Sequence, residues 1–264
     1  MPAAIHAINS TDENALGVLA RRLSATAVSL DLFQRLAAAR AAIGGTLVFT
    51  TSFGLEDQAI GHAILSQRLD IDLVTLDTGR LFPATHDVWA ETERRYGRRI
   101  RAIVPDRRAL ETLIDRQGSD GFRASVEARR ACCHVRKVAP LNRALAGADA
   151  WITGLRADQS EHRADVAFAS VDGARGLIKI NPLFDWTRER AADFTRQYGV
   201  PVNALHERGF LSIGCAPCTR AVAPGESERA GRWWWESEGK TECGLHANPL
   251  HLAARAAEQK AAQS

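Results

Sequence analysis

No apolar run in this 264-residue sequence approaches the roughly 18 residues that a membrane-crossing helix needs. The start of the chain lacks the basic-then-apolar pattern of a secretory leader, since Asp12 and Glu13 interrupt it. A cytoplasmic protein without a membrane partner is therefore expected. A large charge excess is absent too. The net charge is +3, and with no recognised nucleic-acid-binding motif this argues against a nucleic-acid partner. The pairs Arg94-Arg95 and Arg98-Arg99 make only local basic patches. They could draw in a polyanion, or could simply be solvated helix faces. There is no internal repeat. Neither GxxxxGK[ST] nor GxGxxG occurs, which disfavours a Walker-type ATPase and any need for flavin or NAD(P).

What is present begins with an ordinary globular composition, 45% hydrophobic and 25% charged. Residues 1–45 are alanine-rich and helical in pattern, with Leu16, Leu19, Leu23, Leu32 and Leu36 as candidate core positions. Thr46–Thr51, Ile71–Leu76, Ile100–Val104 and Trp151–Leu155 read as short buried strands. Helical stretches fall at Glu56–Gln67, from Pro83 to about Tyr96, and at 187–198. Leu177–Leu183 reads as an edge strand because it contains Pro182. Alternating strands and helices predict an α/β fold, an open and mostly parallel sheet with helices on both faces. The expected organisation is an N-terminal helical region (1–45), a ligand-binding α/β domain (46–223) and a C-terminal segment (224–264) expected to be mobile, because its composition shifts to Gly, Ser, Glu and Arg around Trp233-Trp234-Trp235.

Ligands of such sheets bind where strands end. The loop Ser52-Phe53-Gly54-Leu55-Glu56-Asp57 joins a strand to a helix, and its Ser hydroxyl, backbone N–H groups and helix start could hold a phosphate. A plain N-cap explains the same residues equally well. Asp77-Thr78-Gly79-Arg80 and Gly154-Leu155-Arg156 leave two further strand ends.

The five cysteines fall into two groups. Cys132 and Cys133 are adjacent, and Cys215 and Cys218 form a Cys-x-x-Cys. In a reducing compartment two such pairs point to metal binding rather than to disulfides. Four thiolates suit zinc or an iron–sulfur group. Adjacent cysteines diverge, which favours two different irons of a [4Fe–4S] cluster over one tetrahedral ion. Arg129, Arg130, Arg136, Lys137 and Arg220 flank the pairs and would offset the thiolate charge. Cys243 stands apart, among Lys240, Glu242, Gly244 and His246. An inert buried cysteine is one reading, and a reactive thiolate with its pKa lowered by basic neighbours is the other.

At this point the sequence resembles a known family. SFGLED (52–57), LDTGRLFP (76–83), ACCHVRKVAPL (131–141), WITGLRADQS (151–160), NPLFDW (181–186), LHERGFLSIGCAPCTR (205–220), GRWWWE (231–236) and KTECGLH (240–246) are similar to segments of the assimilatory adenylyl-sulfate (APS) reductases. These belong with the PAPS reductases to the adenine nucleotide alpha-hydrolase-like superfamily. The match spreads over roughly residues 45–247. ATP-cleaving members of that superfamily usually carry SGGxDS at the phosphate loop, and Phe53 replaces a glycine here. A bulky side chain there is expected to narrow the space for a pyrophosphate and to argue against ATP.

The resemblance implies that Cys132, Cys133, Cys215 and Cys218 ligate one [4Fe–4S] cluster, and that Lys137 sits between cluster and substrate. It implies that Ser52, Arg156, Arg229, Arg232 and His246 contact the sulfonucleotide and that Cys243 is the nucleophile. The implied reaction is thioredoxin- or glutaredoxin-dependent reduction of adenosine 5′-phosphosulfate to sulfite and AMP through an enzyme S-sulfocysteine, in sulfate assimilation for cysteine biosynthesis. The three tryptophans would anchor the C-terminal segment or dock thioredoxin. A PAPS or dual-substrate reductase is the alternative, although PAPS-specific members typically lack the two cysteine pairs. An ATP-dependent adenylating or thiolating enzyme would not explain ECGLH. A homo-oligomer stays open.

Overall fold

A computed structural model of the chain describes residues 10–160 and 163–236. Helices α1 (Ser10–Ala27) and α2 (Leu32–Ala42) precede the first strand, β1 (Leu47–Thr51). The chain then alternates through α3 (Leu55–Ser66), β2 (Asp72–Leu76), α4 (Pro83–Tyr96), β3 (Arg101–Ile103) and α5 (Arg107–Gln117). Next, α6 (Val126–Cys133) passes through a π-helical turn (His134–Val138) into α7 (Ala139–Ala144). Strands β4 (Ala150–Ile152), β5 (Ala169–Asp172) and β6 (Leu177–Ile180) and helix α8 (Arg188–Gln197) follow.

The strands form one sheet in the order β3-β2-β1-β4-β6-β5. Every neighbouring pair is parallel except β5 with β6. Side chains alternate along a strand, and the central strands β1 and β4 bury both faces. Leu47 and Phe49, Ala150 and Ile152, and Ile178 and Ile180 meet residues of α1, α2, α3 and α8 on one side. Val48, Val74, Trp151 and Leu177 meet Leu141, Ala144 and Leu145, at α7, on the other. Helices thus cover both faces, as the alternation predicts. Helix α3 is buried almost throughout, and its small residues Ala59, Gly61 and Ala63 allow that close embedding. Helix α2 is tied down by the buried Arg35, which pairs with both carboxylate oxygens of Asp185 at 2.6 and 2.7 Å.

Boundaries that carry a local signal agree with the sequence. Pro83 stands in the first turn of α4, and Gly97 ends that helix at φ 61°, a left-handed cap. Leu23, Leu32 and Leu36 are buried, and Leu16 and Leu19 pack against the same core. The edge assignment needs correction. Strand β6 lies inside the sheet between β4 and β5, and Pro182 falls beyond its end, where a missing N–H breaks no ladder. The edge on this side of the sheet is β5, a strand whose residue pattern carries no signal of its own.

From β1 the chain winds to β2 and β3 on one side, and from β4 it winds to β6 on the other. The direction reverses between β1 and β4, so a crevice opens at their C-terminal ends. No helix among the described residues is long and apolar enough to cross a membrane.

Candidate active site

A cavity of about 190 Å³ fills that crevice. Ser52, directly after β1, lines it. Its N–H and its hydroxyl both donate to Asp57 Oδ2 on the first turn of α3, at 2.6 and 2.7 Å. Asp57 thus fixes the loop from within. Phe53 has φ 58°, the left-handed region that a non-glycine residue adopts only under constraint. That backbone turn sends its ring away from the cavity, into the core, where it stacks on Trp89 at 5.6 Å. The expectation that Phe53 narrows the phosphate space is therefore corrected: a side chain at this position points the wrong way to do so.

Burial pushes the Asp57 carboxyl up from 3.8 to about 6, with the Ser52 bonds opposing and nearby Glu56 adding to the rise. A raised carboxyl pKa means that the folded chain keeps a proton that the unfolded chain has lost. Stability is then greatest below the unfolded pKa and falls as pH rises through the folded value. Asp57→Asn keeps an acceptor for Ser52 and carries no charge. It is expected to raise the unfolding free energy by about 2–3 kcal/mol at pH 8, with the gain shrinking as pH falls below 6. Urea melts across that range check this.

Gly154, after β4, also lines the cavity, and a Cβ there would overlap the Asp57 carboxylate. The glycine lets the two loops touch. Two residues on, Arg156 is fully buried and does not reach the cavity lining. Its Nε donates to Glu56 at 2.8 Å, one Nη to Asp158 at 3.0 Å and the other to Glu228 at 2.8 Å. It organises carboxylates rather than presenting its charge to the cavity. Burial opposes ionisation of Glu56, but Arg156 outweighs it and holds that carboxyl low. Burial and the neighbouring Glu56 push Glu228 up.

The four paired cysteines border a second, smaller cavity with Arg80, Phe122, Arg129, Arg136 and Lys137. Cys132 and Cys133 end α6, where the π-helical turn begins, and such turns mark functional sites. Cys215 and Cys218 form a tight turn closed by Cys218 N–H donating to Cys215 O at 2.9 Å. Ala216 N–H donates to Arg80 O at 2.8 Å, which ties this turn to the loop after β2. No three His, Cys, Asp or Glu side chains of the described residues converge as on a single metal ion. The cysteines instead stand around a shared space. Burial, then neighbouring Cys215, pushes the Cys218 thiol up to about 12. Burial acts the same way on Cys215, but Lys137, a bond from Thr78, Arg232 and Arg136 together hold it below the usual thiol value. As thiolates, four cysteines so placed would need a cationic centre between them, and the donor set is of the type that holds a thiolate-bound metal group. Arg136 donates to Thr78 O at 2.7 Å and also bonds the Cys132 thiol, so one guanidinium ties the cysteine cavity to the loop after β2. Arg220 instead turns to Glu226 at 2.7 Å.

Lys137 lines both cavities. Arg229 and Arg232 line the larger one from the C-terminal segment. That segment returns along the cysteine turn: Thr219 and Arg232 form an antiparallel bridge, and Trp233 N–H donates to Cys218 O at 3.2 Å. Trp233 is buried at φ 45° between the guanidinium groups of Arg129, 4.4 Å from its ring centroid, and Arg232, at 4.9 Å. Trp235 packs beside Phe122. Gly214 makes room for Arg232, since a Cβ there would overlap the guanidinium. Sequence reasoning missed Asp57 and Glu228 as builders of the site, although Glu56-Asp57 beside a phosphate-type loop was a visible signal. Of the expected contacts, Ser52, Lys137, Arg229 and Arg232 meet at one cavity. Cys243 and His246 lie outside the described residues.

The profile of the phosphoadenosine phosphosulfate reductase domain matches residues 46–221. An adenosine 5′-phosphosulfate reductase of Agrobacterium fabrum is 52% identical over 246 residues, 93% of each chain. One from Allochromatium vinosum is 52% identical over 201 residues, 76% of this chain and 78% of that one. A solved structure, the phosphoadenylyl-sulfate (PAPS) reductase from Candida auris in a phosphate complex, is similar with a TM-score of 0.66 at 27% identity, over 76% of this chain and 95% of that chain.

Proposed function

This chain belongs to the phosphoadenosine phosphosulfate reductase family, and from that premise we propose that it reduces adenosine 5′-phosphosulfate to sulfite and AMP with electrons from a thioredoxin-type dithiol. The observation that carries this reading is the position of Lys137, shared between a phosphate-type crevice and a four-cysteine cavity. The similarity to relatives named adenosine 5′-phosphosulfate reductases supports the substrate. The reaction places the enzyme in sulfate assimilation for cysteine biosynthesis.

In this mechanism Ser52 and the start of α3 receive the nucleotide phosphate. Because both Ser52 donors are spent on Asp57, phosphate binding has to share or replace that contact. Lys137, Arg229 and Arg232 face the sulfo end of the dianionic phosphosulfate and offset its charge. The Cys243 thiolate attacks the sulfate sulfur, an S–S bond forms, the S–O bond breaks and AMP leaves with the electron pair. A dithiol thiolate then attacks the Cys243 sulfur and displaces sulfite. Its second thiol resolves the mixed disulfide, so the two electrons come from the dithiol. The four cysteines are assigned a [4Fe–4S] cluster, which supplies structure and electrostatics to the site rather than electrons.

The test compares AMP and sulfite release from APS and from PAPS with reduced thioredoxin, on anaerobically prepared enzyme assayed for iron and labile sulfide. Both products are expected, with kcat/KM for APS at least about tenfold above PAPS, a difference of about 1.4 kcal/mol. A preference for PAPS would shift the substrate assignment, and release of neither product would end the reading.

A further inference from the structure

Two of the places where the C-terminal segment meets the α/β body stand on either side of Arg229, besides the Arg129–Glu236 pair and the packing of Trp233 and Trp235. One is made of backbone, where Arg232 bridges Thr219 and Trp233 bonds Cys218. The other is made of charge. Glu228 Oε2 accepts from Arg156 Nη2 at 2.8 Å, and Glu228 Oε1 lies 3.7 Å from Arg188 Nη1. These partners come from distant parts of the chain, Arg156 from the loop after β4 and Arg188 from the first residue of α8. Arg156 is itself immobilised by Glu56 on α3 and by Asp158. Arg188 is held in turn by donating to Leu211 O at 2.9 Å.

We propose that Glu228 is a positioning residue whose ion pairs with Arg156 and Arg188 seat residues 224–236 against the cleft and so hold the adjacent Arg229 in its lining. The idea rests on the cleft being the sulfonucleotide site. It also gives Arg156 a role that its full burial permits. Arg156 would act through Glu228, as the fixed post to which the segment is fastened. The side-chain attachment, unlike the backbone bridge, can be removed without altering the chain's path. It also lies in the cavity wall, since Glu228 lines the same space as Arg229.

Three variants of the holoenzyme test this: Glu228→Gln, Arg188→Gln and the double variant. Two readouts are used, steady-state kinetics with APS and the rate of tryptic cleavage after Arg229 without nucleotide. Glu228→Gln is expected to raise KM for APS at least about tenfold and to change kcat less than about threefold, because the positioning loss falls mainly on binding. Cleavage after Arg229 is expected to accelerate in parallel. Arg188→Gln, which leaves the closer Arg156 contact intact, is expected to shift both readouts in the same direction by less. The double variant is expected to match Glu228→Gln, since the two residues act through one contact. Wild-type KM and cleavage in Glu228→Gln would overturn the proposal. A raised KM without faster cleavage would overturn it too, because Glu228 would then be a direct ligand contact. Wild-type enzyme that does not turn over APS would instead sink the functional reading, and the cleavage rates would still report on the attachment.

Discussion

Replacing Cys243 by serine is expected to lower turnover by at least about 10⁴-fold, as removal of a covalent nucleophile does, with nucleotide affinity nearly unchanged. The five cysteines divide by position. Four border one cavity in the fold, with their thiols buried or half-buried among arginines and Lys137. Cys243 is the fifth and lies beyond that arrangement in sequence, in a Gly-flanked and charged segment. A thiolate is a far stronger nucleophile than a neutral hydroxyl, and a cysteine offers a few per cent of it near neutral pH even before its surroundings act. A serine hydroxyl offers essentially none. The cysteine cavity and the crevice are built from elements before residue 237, and the Cys243→Ser enzyme is expected to bind AMP and to match the wild type in iron content. Mixing wild-type enzyme with APS and no reductant should leave one sulfo group on Cys243 by mass spectrometry. Serine enzyme should show no such adduct. An enzyme that keeps its speed with serine at 243 would remove covalent catalysis altogether.

What could be read from the residues, and what could not, follows physical lines. Strands β1 and β2 and helix α4 carried strong local signals: β-branched apolar runs, a proline at the helix start and a glycine at its end. Strand β5 is only Ala169–Asp172, two of its residues polar, and its pairing is set by β6 and α1 rather than by its own pattern. The two cysteine pairs announced a thiolate site by residue type alone. Their meeting depends on the Arg80 carbonyl and Thr78, which no spacing reveals. Phe53 misled because a sequence gives the size of a side chain and not its direction. A positive φ turned the ring into the core. Arg156 shows a related limit of reading residues alone. Its charge was visible, but its three carboxylate partners lie 100, 2 and 72 residues away, and only folding shows that they consume it.

Lys137→Met is expected to lower kcat/KM for APS by about 10²–10³-fold, the usual effect of losing one donor aimed at developing transition-state charge. Methionine keeps an unbranched apolar stem and removes only the ammonium group. Lys137 follows Arg136 in the π-helical turn, so the wider winding that receives the chain from Cys132 and Cys133 also carries this lysine into the wall of both cavities. On the cysteine side its charge helps to hold the Cys215 thiol low. On the other side it faces the crevice proposed to hold the sulfonucleotide, where sulfo transfer would gather negative charge on the departing phosphate. One charge that serves two anionic sites should matter most when both are fully charged, at bond breaking. The loss should therefore fall more on kcat than on the affinity for AMP, which lacks the sulfo group. Lys137→Arg should recover only part of the rate, because a planar fork cannot occupy the place of a compact ammonium. A loss under about tenfold, or one confined to KM, would mean that Lys137 merely assists binding, and the link between the two cavities would then carry no catalytic weight.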